Sequence, residues 1–156
     1  MTSKWRLPRG ATGFWSEKSD ALPQTDSRGF ATYCHEAARR SGGRVLTITP
    51  PGVTPNFYTA VILRGDGRLA LLGHLQLPVT AIAEVPAAGE CSLNFVEDEA
   101  LRNATMSMDT FRLLTVDELE TPVSSVDLSS LDSAEHSQIA YWMPETVGEL
   151  FFNYWD

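Results

Sequence analysis

Hydrophobic positions along the chain change period several times, and each change marks an element. Phe30, Cys34, Ala37 and Ala38 recur at helical spacing, which predicts a core-facing helix over residues 27–41. Asp26 or Ser27 can cap its start, Arg39 and Arg40 suit the negative end of the helix dipole, and Gly42-Gly43 stops it. The β-rich run Arg44–Thr49 follows, closed by Pro50, Pro51 and Gly52. Phe57–Arg64 and Arg68–Leu77 flank Gly65-Asp66-Gly67, which reads as a hairpin turn. Both runs are apolar on both faces, so they belong in the middle of a sheet that is covered on each side. Val79–Val85, Ser92–Val96 and Thr110–Leu114 are shorter strand candidates.

After Thr115 the pattern turns to short helices. Thr115 with Glu118 and Thr146 with Glu149 match the capping box, in which a hydroxyl and a carboxylate satisfy backbone donors reciprocally. The Ser- and Asp-rich stretch Ser124–Ser133 reads as a loop into a short helix over Ala134–Ile139. The segment Thr146–Trp155 places Val147, Leu150, Phe151, Tyr154 and Trp155 on one helical face. Residues 1–25 mix Pro8, Gly10, Gly13 and Pro23 with Trp5, Phe14 and Trp15, an irregular arm pinned by its aromatics. The expected fold is therefore one α+β domain, an antiparallel sheet with a central hairpin packed by an N-terminal helix and C-terminal helices.

Charge changes this picture from fold to partner. The chain of 156 residues carries a net charge of −8, but residues 1–78 hold ten bases and five acids, whereas residues 79–156 hold two bases, Arg102 and Arg112, and fifteen acids. Such a field repels nucleic acid and anionic lipid and steers toward a basic protein surface. The alternative is that the two halves neutralise each other across the fold, or that the acids only make the surface soluble. The acids suited to partner recognition are Glu97, Asp98 and Glu99, read as a solvated loop cluster, together with Asp109, Asp117, Glu118, Glu120, Asp127, Asp132 and Glu135. Among the C-terminal aromatics Tyr141, Trp142, Phe152 and Tyr154, Trp142 is the candidate anchor, with core packing the competing use.

Motifs for chemistry are sparse. Cys34, His35 and Glu36 are adjacent, but successive helical side chains diverge by about 100°, so Cys34 and His35 cannot share a site. His35, His74 and His136 lack metal-ligand spacing, and His74 reads as half-buried. Gly65-Asp66-Gly67 lacks the ending of a phosphate loop, and Glu97-Asp98-Glu99 lacks the alternating ligands of a calcium loop. Cys34 and Cys91 read as small buried thiols, with a bridge between them left open. No cofactor is expected. No apolar run approaches the ~20 residues of a membrane span, and no apolar leader follows Lys4, Arg6 and Arg9, so the cytoplasm is the expected compartment.

The segment Trp142-Met143-Pro144-Glu145-Thr146-Val147-Gly148-Glu149-Leu150-Phe151-Phe152-Asn153-Tyr154-Trp155-Asp156 resembles an ending found in small bacterial immunity proteins of polymorphic toxin systems. The resemblance covers about a tenth of the chain. It implies a cognate inhibitor that docks on a toxin domain and carries over no individual binding residue. The competing reading is a small-ligand binder or enzyme whose pocket is assembled from distant residues such as His35, His74 or Arg112.

Overall fold

A computed structural model describes residues 4–52, 55–87 and 92–155. The fold is α+β. Five strands, β1 (Arg44–Thr49), β2 (Phe57–Arg64), β3 (Gly67–His74), β4 (Val79–Ala83) and β5 (Arg112–Leu113), lie in sequence order across one sheet. All neighbours are antiparallel except β4 and β5, whose parallel pairing departs from the expected antiparallel sheet. The β2–β3 hairpin sits at its centre, with Arg64 paired to Gly67 and Gly65 at φ +62° in the loop.

Alternation of side chains divides the core between the two faces. Tyr58, Ala60, Ile62, Leu71 and Ile82 point to one face, where they meet Phe30, Tyr33, Cys34, Ala37 and Ala38 of helix α1 (Ser27–Arg40) and Leu101 of α2 (Glu99–Met106). Full burial of Phe30 and Tyr33 contributes about 1.5–3 kcal/mol each. Phe57, Ala70, Leu72, Ala81 and Ala83 point to the other face. That face is covered by α3 (Val116–Leu119), α4 (Ser133–Trp142), α5 (Val147–Phe151) and the arm residues Leu7 and Ala11. The arm is irregular as expected, yet Leu7, Ala11 and Thr12 are fully buried, so it is threaded into the core rather than pinned by aromatics alone.

Two predicted elements end early because a side chain takes over the backbone. β3 stops at His74 instead of continuing to Leu77, since the His74 ring accepts the N–H groups of Gln76 and Leu77 that a ladder would use. The last helix stops at Phe151 instead of Trp155. There Asn56 donates its side-chain N–H to the Phe151 carbonyl and Asn153 donates to that of Leu150, while Asn153 N–H is held by Asn56 Oδ1. Ser92–Val96 is not a strand; it touches the sheet through a single bridge from Phe95 to Ala83. β5 already occupies the other half of the same β4 edge.

The cluster Glu97-Asp98-Glu99, read as a loop, instead opens α2, with Asp98 as N-cap accepting from Leu101 N–H at 2.9 Å. Thr115 and Glu118 form the full capping box. At the second expected box Thr146 accepts from Glu149 N–H, but the Glu149 carboxylate takes Glu145 N–H rather than that of the cap. An unanticipated box joins Asp132 and Glu135 at the start of α4.

Gly73 shows how tightly the first face is assembled. A Cβ there would lie 2.2 Å from the Phe30 ring, so only glycine lets α1 approach the middle of the sheet. Gly73→Ala is expected to destabilise the fold by about 1–3 kcal/mol through this overpacking, read as a lowered denaturant midpoint. An unchanged midpoint would contradict the close packing.

Candidate functional site

Two polar constellations emerge, one buried and one exposed. The buried one surrounds the arm. Gly10, at φ +100°, turns the backbone so that the N–H groups of Gly10 and Thr12 both face Glu135. The Glu135 carboxylate accepts from Gly10 N–H at 2.9 Å, Thr12 N–H at 3.0 Å and Thr12 Oγ1 at 2.7 Å, and it is fully buried. The carbonyl of Thr12 accepts from the side-chain amides of Asn56 and Asn153, and that of Ala11 from His74 Nε2 at 2.8 Å. The other ring nitrogen of His74 is an acceptor, so its partners place the proton on Nε2.

His74 is fully buried rather than half-buried, and burial pushes its pKa down to about 4 against the opposing pull of the Ala11 carbonyl. Besides holding the arm, these side chains bind other backbone: Glu135 accepts from Asp132 N–H, His74 Nδ1 from Gln76 and Leu77 N–H, and Asn56 and Asn153 donate to the Phe151 and Leu150 carbonyls. Glu135, placed by sequence among the acids for a partner, belongs to this interior.

The remaining acids divide according to their partners. Asp98 pairs with Arg64 at 2.8 Å, and this guanidinium holds its carboxyl below the usual range. Glu97 accepts from Val116 N–H at 2.8 Å and pairs with Arg102; both hold its pKa down, the backbone bond more strongly. Asp127 pairs with Arg6 at 3.1 Å and accepts from Ser129; the Ser129 contacts, then Arg6, lower its pKa to about 2. Asp132 caps α4, accepts from Ser16 N–H and lies 3.7 Å from Arg9. Glu118 pairs with Arg112. Arg6, Arg9 and Arg64 thus neutralise acids of the second half across the fold. Glu99, Asp109, Asp117 and Glu120 are exposed and form no ion pair among the described residues.

The residues offered for a distant pocket do not converge. His35 is exposed on α1, His74 is enclosed, and Arg112 is committed to Glu118 with its guanidinium 5.8 Å from the Trp5 ring centre. Cys34 is buried, which pushes its thiol up and keeps it protonated at neutral pH. Cys91 lies outside the described residues, as does any bridge to it. No group of three metal-ligating side chains is found among the described residues, and no described helix is long and apolar enough to cross a membrane.

The exposed constellation is a groove of about 650 Å³ at the end of α4. Phe95, Gly148, Phe152 and Asn153 line it together with Trp142, Tyr154 and Trp155, and Glu145 and Glu149 supply its charge. α4 ends at Met143, whose left-handed backbone (φ 52°) turns the chain and leaves Tyr141 and Met143 about three-quarters exposed. Trp142 is 38% exposed and fixed: its indole N–H donates to Gln138 at 2.9 Å, and its ring lies parallel to Trp155 at 6.1 Å. Phe152 is buried, so the C-terminal aromatics are shared between core and surface. Of the residues singled out from sequence, the aromatics Trp142, Phe152 and Tyr154 line this groove, and none of the acids named for a partner does. Its carboxylates, Glu145 and Glu149, were not singled out, because Glu149 reads from sequence as a helix cap.

Comparisons with protein-family models, with curated proteins and with solved structures find no match for this chain. The class that fold and site define is an α+β protein with an acidic aromatic groove.

Two outcomes follow from the buried constellation. Glu135→Ala orphans four donors, Gly10 N–H, Thr12 N–H, Thr12 Oγ1–H and Asp132 N–H, and is expected to destabilise the protein by at least about 3 kcal/mol, with the segment around residues 5–22 becoming sensitive to limited proteolysis. Full stability with a protected arm would reject the assignment. The His74 pKa lies below its ordinary 6.5. The unfolded chain therefore binds a proton that the folded chain refuses, and stability falls as pH drops from about 6.5 through 4, by up to about 3 kcal/mol. NMR titration is expected to find the His74 ring neutral at pH 5; a midpoint near 6.5 would refute this.

Proposed function

We propose that the chain is a non-catalytic protein-binding module of the immunity or inhibitor type, which occludes the substrate surface of a basic toxin domain in the cytoplasm. The observation that carries this reading is the position of the C-terminal motif. Trp142, Pro144, Gly148, Phe152, Asn153 and Trp155, six residues of the segment that resembles the ending of immunity proteins, line the exposed groove. A segment that served only the core would not leave Tyr141, Trp142 and Met143 at the surface beside unneutralised carboxylates.

The acidic balance supports the same reading. After internal pairing, Glu99, Asp109, Asp117 and Glu120 remain available to steer a basic partner, with Glu145 and Glu149 at the groove. Glu97, Asp98, Asp127 and Asp132 serve as caps and ion pairs, so their contribution to a partner is through the field they add.

Co-expression with the product of an adjacent toxin-like reading frame is expected to yield a stable complex and to suppress its toxicity. Growth arrest despite normal expression of both would overturn the proposal. Within such a complex, Asp109→Lys, Asp117→Lys and Glu120→Lys together are expected to slow association about tenfold at low salt and to flatten its salt dependence. Unchanged kinetics would remove the electrostatic part.

A further inference from the structure

The groove is more selective in its chemistry than a general apolar patch. Among the described residues its lining holds two carboxylates and no lysine, arginine or histidine. Glu149 uses one oxygen on Glu145 N–H at 2.7 Å, and the Glu145 carboxylate has no hydrogen bond or ion pair among the described residues. Beside these acids stand two parallel indole rings, Trp142 and Trp155, with an interplanar angle of 3°. Phe14 packs on Trp155 and Tyr141 sets its ring edge-on to Trp142, so the indoles are held from several sides. An occupant that satisfies both features must be flat enough to lie on an indole and must carry positive charge.

We propose that the groove receives an arginine side chain presented on an exposed segment of the partner protein. Its guanidinium would lie against the Trp142 indole and donate to Glu145 and to the remaining oxygen of Glu149. Arginine fits better than lysine because its planar fork stacks on an aromatic face and donates two hydrogen bonds at once. A neutral aromatic ligand would leave the carboxylates without a partner, and an anionic one would be repelled. The Gln138 anchor and the left-handed turn at Met143 hold Trp142 in place before binding, which limits the ordering cost of capture. This proposal rests on the protein-binding reading above and names the side chain that the surface selects.

The test is a titration of the whole protein with the blocked peptide Gly-Ser-Arg-Ser-Gly and with the same peptide carrying citrulline, which keeps the shape and loses the charge. The arginine peptide is expected to shift the indole resonances of Trp142 and Trp155, and the citrulline peptide to bind at least tenfold more weakly. Glu145→Gln with Glu149→Gln is expected to remove most of that difference, and Trp142→Leu to abolish the shifts in a protein that still melts cooperatively. Equal affinity for the two peptides, shifts confined to other residues, or no binding at millimolar peptide would each overturn the proposal. The peptide comparison uses the unmodified protein, so a variant that fails to fold does not decide it. A partner complex that keeps its full affinity with Trp142→Leu and both glutamines in place would sink the arginine site alone, whereas absence of any complex with the toxin-like neighbour would sink the wider reading.

Discussion

The carboxylate of Glu135 is the contact on which the second half of the fold depends. An irregular arm running through a core brings backbone N–H and C=O groups that no strand or helix satisfies, and each such group left unpaired is costly. Glu135 supplies acceptors for Gly10 and Thr12 from 123 and more residues away along the chain. His74, Asn56 and Asn153 supply donors for the carbonyls of Ala11 and Thr12. The arm, the central strand β3, the start of α4 and the end of α5 therefore close on one another around a few peptide groups. Other atoms of the same side chains end the elements: His74 Nδ1 closes β3, and Asn56 and Asn153 close α5 at Phe151.

This arrangement also redistributes charge. The basic first half and the acidic second half are not two separate surfaces. Arg6, Arg9 and Arg64 reach Asp127, Asp132 and Asp98, and the two bases of the second half, Arg102 and Arg112, are taken by Glu97 and Glu118. Each pair keeps at least one side chain partly open to solvent, where screening makes it a weak contributor to stability. Their larger effect is on the surface left over: the second-half acids without an ion pair include Glu99 on α2, Asp117 and Glu120 at α3, Asp109 before β5, and Glu145 and Glu149 at the groove.

The groove follows from the way the chain leaves α4. A left-handed residue at Met143 redirects the backbone, Thr146 starts a helix of five residues, and Asn153 breaks it, which brings Trp155 back alongside Trp142. One face of this short loop and helix closes the core with Val147, Leu150, Phe151 and Phe152, and the other exposes aromatic rings beside two acids. A core-closing segment and the proposed recognition surface thus share residues 142–155, which ties the proposed binding activity to an intact tail.

Features governed by neighbours in sequence were legible without a structure: the α1 stripe from Phe30 to Ala38, the hairpin around Gly65 and Asp66, the capping box of Thr115 and Glu118, and the α+β class itself. Local rules suffice there because the groups that satisfy the backbone lie within a turn or two of it. An aromatic-rich tail must bury or present its rings, and of these rings Phe152 is buried while Trp142 stays 38% exposed. What only the tertiary structure decided was the use of each polar side chain. Asp98 reads as one acid in a run until Leu101 shows it to be a cap and Arg64 to be its counterion. Glu135 reads as a surface acid until the arm arrives, and His74 as a half-buried strand residue until its ring closes the bend after it. These assignments depend on partners far away along the chain, and a one-dimensional pattern carries no information about which distant donor will meet which acceptor.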